Sequence, residues 1–179
     1  MTNQVSCWSP GPIERSCHFA IRHQVFVEEQ GVMVLTDVDR WDDDCDTIHV
    51  VAAHGSEIAG TVRVYPLDDY GRWKGDRLAV LPAHRASLVG MRLVRFAVAT
   101  AAAAGGLVME ASVQLPNVTF FERLGWRCDG EPTSYYGLPH QSMTITLDNV
   151  DPVVAVVDSV AVLRLAVGDL SRNPLLVNS

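Results

Sequence analysis

Apolar positions change period along the chain, and each change marks a different element. Over residues 16–30, Phe19, Ile21, Val25, Phe26 and Val27 recur at a spacing that predicts a helix burying one face, with Gly31 to end it. Asp37, Asp39, Asp42, Asp43, Asp44 and Asp46 then crowd residues 31–46, and that density of carboxylate predicts a solvated loop. From Ile48 the period becomes two. Strands over 48–53 and 58–65 flank the turn His54-Gly55-Ser56-Glu57, and Thr61, Arg63 and Tyr65 alternate with Val62 and Val64, as in a hairpin with one wet face.

A stretch rich in Asp, Gly and Lys leads to a short apolar strand at 77–80, a proline-stopped turn, and a helix running through Leu93 to Ala104 and halted by Gly105-Gly106. Strand 107–113 completes a strand–helix–strand unit. The first N–H groups of its helix lack intrahelical acceptors and sit at the positive end of the helix dipole, so the turn at 85–90 suits an anion. That turn also lies at the carboxyl end of a strand, where open α/β sheets place ligands. Pro116 fits the first turn of a second, aromatic helix closed by Gly125, and strands follow at 126–136 and 142–147.

Residues 1–150 thus read as one domain, with 151–179 as an extension. Its apolar run Val153 to Val167 is interrupted by Asp158 and Arg164 and is shorter than the ~20 residues of a membrane span. β-branched content favours a strand there and length favours a helix. As a helix it would cover the domain or a neighbouring subunit, so a homodimer is one arrangement it allows.

Charge narrows the partners. With 14 Lys plus Arg against 21 Asp plus Glu, the net charge is -7, which excludes a surface built to follow a nucleic-acid backbone and suits a cationic acceptor such as an amine. Cys7, Cys17, Cys45 and Cys128 have neither C-x-x-C spacing nor a paired histidine motif, so no metal is signalled. Met1-Thr2-Asn3-Gln4 opens no basic and apolar leader, so reduced thiols in the cytoplasm are expected.

Two motifs carry a family resemblance. Arg85 and Gly90, after the 77–80 strand, match an Arg-x-x-Gly-x-Gly/Ala pattern, while Asn117, Phe120, Gly125 and Trp126 match Asn…Phe-Tyr-x-x-x-Gly-Phe. Together they resemble the GNAT superfamily of acyl-CoA-dependent N-acyltransferases, which implies an α/β (α+β) fold with a mixed, mostly antiparallel twisted sheet flanked by helices. The order of segments from about residue 15 to 148 most resembles a bacterial subfamily linked to nitrogen starvation and nitrilase gene clusters. The resemblance implies acetyl-CoA as acyl donor, with its pyrophosphate on Arg85, Ala86, Ser87, Leu88, Val89, Gly90 and Met91. It places the thioester against the main chain of Leu78, Ala79 and Val80, and the pantetheine arm along Asn117 and Phe121. Leu88 stands where the family has its first glycine, and Phe121 where many members have a proton-donating tyrosine.

For the proton released by an amine, the candidates are Glu29, in a Val-Phe-x-x-Glu-Gln segment the family places beside the acceptor, Glu110, in an otherwise apolar strand, and His140. Phe26, the Asp37/Asp39/Asp42 spacing and Arg63 also resemble acyl-homoserine-lactone synthases, and would then bind the acceptor. Three functions remain: transfer of acetyl to the amine of a small metabolite, a lactone-type synthesis, or a non-catalytic acyl-CoA-binding module.

Overall fold

The computed structural model describes residues 4–148. Its strands are β1 (Val5–Trp8), β2 (Ile48–His54), β3 (Glu57–Pro66), β4 (Arg72–Val80), β5 (Val108–Gln114), β6 (Arg127–Tyr135) and β7 (Leu138–Thr146), and its helices are α1 (Pro12–Arg22), α2 (Val89–Ala103) and α3 (Val118–Glu122). The strands form a seven-stranded sheet in the order β1-β2-β3-β4-β5-β7-β6. Neighbours are antiparallel except β4 and β5, which α2 joins as a parallel crossover. The mixed, mostly antiparallel sheet is the one expected. The run Val153 to Val167 and the rest of the extension lie outside the described residues.

One face of the sheet packs on α2. Val62, Val64, Met109, Ala111 and Val113 meet Leu93, Val94, Phe96 and Ala97 in the main core. Gly60 lets the helix come close, since a Cβ there would lie 2.9 Å from both Leu93 Cδ1 and the Ala79 carbonyl oxygen. The glycine stop at the far end is a Schellman closure: Gly105, at φ 87, donates to the Ala102 carbonyl, and the Gly106 N–H donates to that of Ala101.

The other face differs most from expectation. Thr61, Arg63 and Tyr65 are buried rather than wet, because α1 and the acidic segment lie over them. The acidic segment is the irregular loop expected and Asp43, Asp44 and Asp46 are exposed, but Asp37 and Asp42 are buried, so it is solvated only in part. The physical reason is pairing. Arg22, fully buried, holds Asp37 (Nε–Oδ2 2.5 Å) and Asp42 (Nη1–Oδ1 2.5 Å), while Arg63, equally buried, holds Asp39, Asp42 and Asp76 at 2.7–2.9 Å. Arg77 closes the set on Asp39 at 3.0 Å. Burial alone would raise the Asp42 carboxyl, yet hydrogen bonds from Arg22 and the Asp39 N–H, with the charges of Arg22 and Arg63, hold it well below the usual carboxylate range.

Local boundaries also moved. α1 starts at Pro12 and passes into a π-helical turn over His23–Glu29, where Gln30 N–H reaches back to the Val25 carbonyl. The strand read at 77–80 begins at Arg72, and β1 had no strong alternation to betray it. No helix among the described residues is long and apolar enough to cross a membrane.

Candidate active site

β4 and β5 pair at Arg72↔Val108, Trp73↔Met109 and Lys74↔Glu110, and no further. Beyond Lys74 the strands diverge. The cause lies on the other edge of β4, where Asp76 faces Arg63 and Ala79 faces Thr61, so Arg77 and Leu78 together oppose Val62. This bulge bends the strand, and Arg77 takes it up at φ 52, a left-handed conformation rare outside glycine. It also resets the alternation. Asp76 and Arg77 both reach the ion-pair side, Leu78 joins the α2 core, and Ala79 joins the α1 core.

A cleft of about 380 Å³ occupies the divergence and passes through the sheet. Its α2 side is apolar, walled by Val62, Val94, Met109, Ala111, Phe121 and Trp126. Its opposite side is mixed: Lys74, Asp76, Ser112 and Gln114 from the strands, Phe26 and Gln30 from the π-turn, and Tyr135, Tyr136 and His140 from the β6–β7 hairpin. Tyr136 at φ 49 and Gly137 at φ 75 make that hairpin's two-residue turn, and both tyrosines border the cleft while remaining exposed. Backbone groups of Gly75 to Leu78 that would have continued the ladder to β5 face the cleft instead.

The turn expected to bind an anion, Arg85 to Met91, follows the end of β4 at Val80, and none of its residues lines the cleft. Leu88 precedes α2, Ser87 Oγ accepts from the Val89 N–H at 3.3 Å and donates to the His84 carbonyl, and the N–H groups of Gly90 and Met91 have no acceptor within the helix. A Cβ on Gly90 would meet only Phe120 Cζ at 3.7 Å and Val80 Cγ2 at 3.8 Å. Internal packing therefore does not require glycine there. Arg85 lies across the same turn, its Nε donating to the Val80 carbonyl and its two Nη donating to Glu29 at 2.6 Å each.

The proton acceptors named from sequence fall in different places. Glu29 is absent from the cleft wall, and the Arg85 hydrogen bonds hold its carboxyl below the usual range. Glu110 also turns away, to Arg72 (Nε–Oε1 3.0 Å). His140 lines the cleft and is buried. Its Nδ1 lies 2.9 Å from the Leu138 carbonyl oxygen, which can only accept, so Nδ1 carries a proton and the lone pair of the neutral ring is on Nε2. Of the proposed acceptor ligands, Phe26 lines the cleft, whereas Asp37, Asp39, Asp42 and Arg63 belong to the ion-pair network beneath it. Asn117, Phe121 and Leu78 line the wall, and Ala79 and Val80 do not. Sequence reading left Lys74 and Asp76 in a loop. The alternation of Trp73 and Gly75 with the charged Lys74 and Asp76 is the strand signal present in the sequence, and the structure buries the first pair and half-buries the second.

His18, Asp42 and His49 also converge, within metal-ligating reach of one another. Their lone pairs are already engaged. Thr61 Oγ1 donates to the Val50 carbonyl and so accepts from His18 Nδ1, leaving the one lone pair of His18 Nε2 facing Arg22 (3.0 Å) and His49 Nδ1 (3.0 Å), while His49 Nε2 lies between the Arg15 guanidinium (3.1 Å) and the Asp42 carbonyl oxygen (3.3 Å). Two guanidiniums stand where a cation would have to enter.

Comparison with known proteins agrees with this geometry. The acetyltransferase (GNAT) domain profile matches residues 45–128. A Bacillus subtilis strain 168 protein named for an acetyltransferase assignment is 32% identical over 129 residues, covering 70% of this chain and 85% of its own, and YjcF of the same strain, an uncharacterized N-acetyltransferase, is 33% identical over 129 residues, covering 70% and 87%. The chain belongs to the GNAT acetyltransferase family. Among solved structures, an N-acetyltransferase from Lactobacillus plantarum superimposes with a TM-score of 0.70 at 24% identity over 80% of this chain and 97% of its own. YncA of Salmonella typhimurium, solved with its cofactor acetyl-CoA, gives 0.66 at 17% over 82% and 96%. BjaI, a CoA-dependent acyl-homoserine lactone synthase solved with SAM and isopentyl-CoA, gives 0.64 at 18% over 91% and 90%. At these identities the structural matches establish the shared fold.

Proposed function

We propose that the protein transfers an acyl group, acetyl in the simplest case, from CoA to the amine of a small molecule inside the divergence of β4 and β5. The observation that carries this reading is a cleft between the diverging β4 and β5, apolar on one side and polar on the other, with Val94 and Ala97 of α2 in its wall and the helix N-terminus at Val89 one turn before them. Pyrophosphate fits at Arg85 to Met91, where helix N–H groups and a guanidinium converge. The pantetheine arm then runs past Asn117 and Phe121, and the thioester carbonyl meets main-chain N–H groups of the bulged strand, preorganised donors for the charge that grows on oxygen.

The amine nitrogen attacks the carbonyl carbon, and the C–S bond breaks. His140 Nε2 takes the proton from nitrogen. Phe121 has no proton for the departing thiolate, and Tyr135 and Tyr136 are the phenols lining the same cleft. Burial raises the Tyr135 phenol, opposed by its hydrogen bond with Arg77, so it stays protonated and able to donate at neutral pH. Engagement of Arg85 by the pyrophosphate requires it to loosen its hold on Glu29.

Calorimetric titration with acetyl-CoA, followed by thiol-release assays over an amine panel, tests this reading. Saturable binding weakened by Arg85→Ala, with acetylated amine as product, is the expected result. Binding without turnover would leave a non-catalytic acyl-CoA module, and no binding at millimolar CoA would remove the proposal. The lactone-synthase reading loses support because Asp37, Asp39 and Asp42 are occupied by arginines rather than turned to the cleft.

A further inference from the structure

Lys74 is the only lysine in the sequence, among thirteen arginines. It stands at the closed end of the cleft, at the last rung shared by β4 and β5. The other cations nearby are engaged: Arg63 and Arg77 by Asp39 and Asp76, and Arg72 by Asp68 and Glu110. Asp76 is occupied in turn by Arg63, with the Tyr65 hydroxyl at 3.4 Å. Lys74 alone is left with a neutral partner, Ser112 Oγ at 3.3 Å, and makes no ion pair among the described residues. Glu110, its cross-strand neighbour, is drawn to Arg72 instead.

Resting on the acyltransferase reading above, we infer that the acceptor is an amine that also carries a carboxylate, and that the Lys74 ammonium, with the Ser112 hydroxyl beside it, binds that carboxylate. Position separates this role from CoA binding. Lys74 lies six residues from Val80 along β4, about 20 Å at a rise of about 3.3 Å per residue, so it is remote from the pyrophosphate turn. It lies instead on the acceptor side, on the strand face shared with Asp76 and Ser112.

Spacing also fits. His140 pairs with Gln114 and Ser112 pairs with Ser142, so His140 and Ser112 are diagonal neighbours across β5 and β7. Such neighbours are about 7–8 Å apart. An acceptor spanning that gap would anchor its carboxylate at Lys74 and Ser112 while presenting its amine toward His140 and the bulged strand. Amino acids whose two groups are separated by several bonds span it best. An acceptor lacking the anion would leave the ammonium unmatched and fix its own amine less well, which places the discrimination in kcat/KM.

The test uses the full chain and two readouts. Reductive methylation with a labelled one-carbon reagent keeps the charge and tags one side chain, Lys74, together with the terminal amine. In the CoA-loaded protein, the Lys74 methyl resonance should shift and saturate with γ-aminobutyrate, and stay in place with its carboxamide. Acetylation of the two compounds should differ in kcat/KM by roughly ten- to a hundred-fold in favour of the carboxylate, the size of a charge-assisted hydrogen bond. Lys74→Met should abolish that ratio, and Lys74→Arg should retain most of it. Equal kcat/KM for acid and amide, or a ratio unchanged in Lys74→Met, would overturn the inference while leaving acyl transfer standing. A carboxylate-selective shift without acetylation of any amine would instead keep the Lys74 site and remove the transfer reading. Absence of any shift with the α-, β- and γ-amino acids in turn would remove the Lys74 site.

Discussion

Gly90 and His140 are the residues where the account is most exposed. Glycine in the first turn of a helix is less favourable than alanine by roughly 0.5–1 kcal/mol, and at 90 nothing in the protein's own packing demands it. Gly90→Ala should therefore stabilise the fold by up to about 1 kcal/mol in urea titrations while weakening CoA binding in calorimetry, because a methyl group would stand where phosphate approaches. Loss of stability, or unchanged CoA affinity, would mean the glycine serves another purpose. At the other end of the cleft, His140→Gln keeps a hydrogen-bonding side chain but removes the ring base. Its kcat should fall on the order of a hundred-fold, and the limb of the pH–rate profile due to the ring should vanish. A profile matching the wild type would return attention to Glu29 and Glu110, despite their ion pairs.

At the scale of elements, the acidic segment and the bulged strand form one unit. Arg63 ties Asp39, Asp42 and Asp76 together, so it fastens residues 37–42 to β3 and β4 and helps hold the bend that opens the cleft. Removing one partner strands buried charges, and Arg63→Met should destabilise the protein by about 3–5 kcal/mol in chemical denaturation. A change below about 1 kcal/mol would show that the network contributes little. The same unit explains what sequence could and could not reveal. The α2 helix, its glycine stop and the crossover were legible because each rests on local spacing: Leu93 to Ala104 keeps a helical period, and Gly105 takes a positive φ. The buried arginine–aspartate network was not, since Asp37 and Asp42 look solvated until Arg22 and Arg63 arrive from other elements. Nor was the bulge, which is a mismatch in length between β3 and β4 rather than a property of Arg77 alone.

For the whole molecule, buried histidines set a pH dependence. Burial, the Arg22 charge and then His49 push His18 down to about 2, and burial followed by the Arg15 charge also lowers His49. Both are neutral in the folded protein, whereas in the unfolded chain each titrates near about 6.5. Their contribution to stability is complete above that value and is lost as pH falls below it, at about 1.4 kcal/mol per pH unit for each proton taken up on unfolding. Asp42 works in the same sense at lower pH, losing its contribution only as pH falls below about 4, the ordinary range of an unfolded aspartate. Between pH 7.5 and 5.5, then, the fold should weaken by about 1.5–3 kcal/mol, roughly 1.4 kcal/mol for each histidine that stays neutral, with a smaller loss in His18→Gln. Stability that holds level or rises over that interval would contradict neutral burial.

The proposed reaction requires one arrangement, an acyl-CoA threaded between β4 and β5 with its nucleotide end at α2. A crystal structure of the protein with acetyl-CoA examines it directly. Pyrophosphate oxygens should lie on the Gly90 and Met91 N–H groups and the Arg85 guanidinium, the Arg85–Glu29 pair should be parted, and the thioester should sit beside the bulge at Arg77–Leu78. Acetyl-CoA bound elsewhere on the molecule, with the cleft unfilled and the Arg85–Glu29 pair intact, would contradict the account.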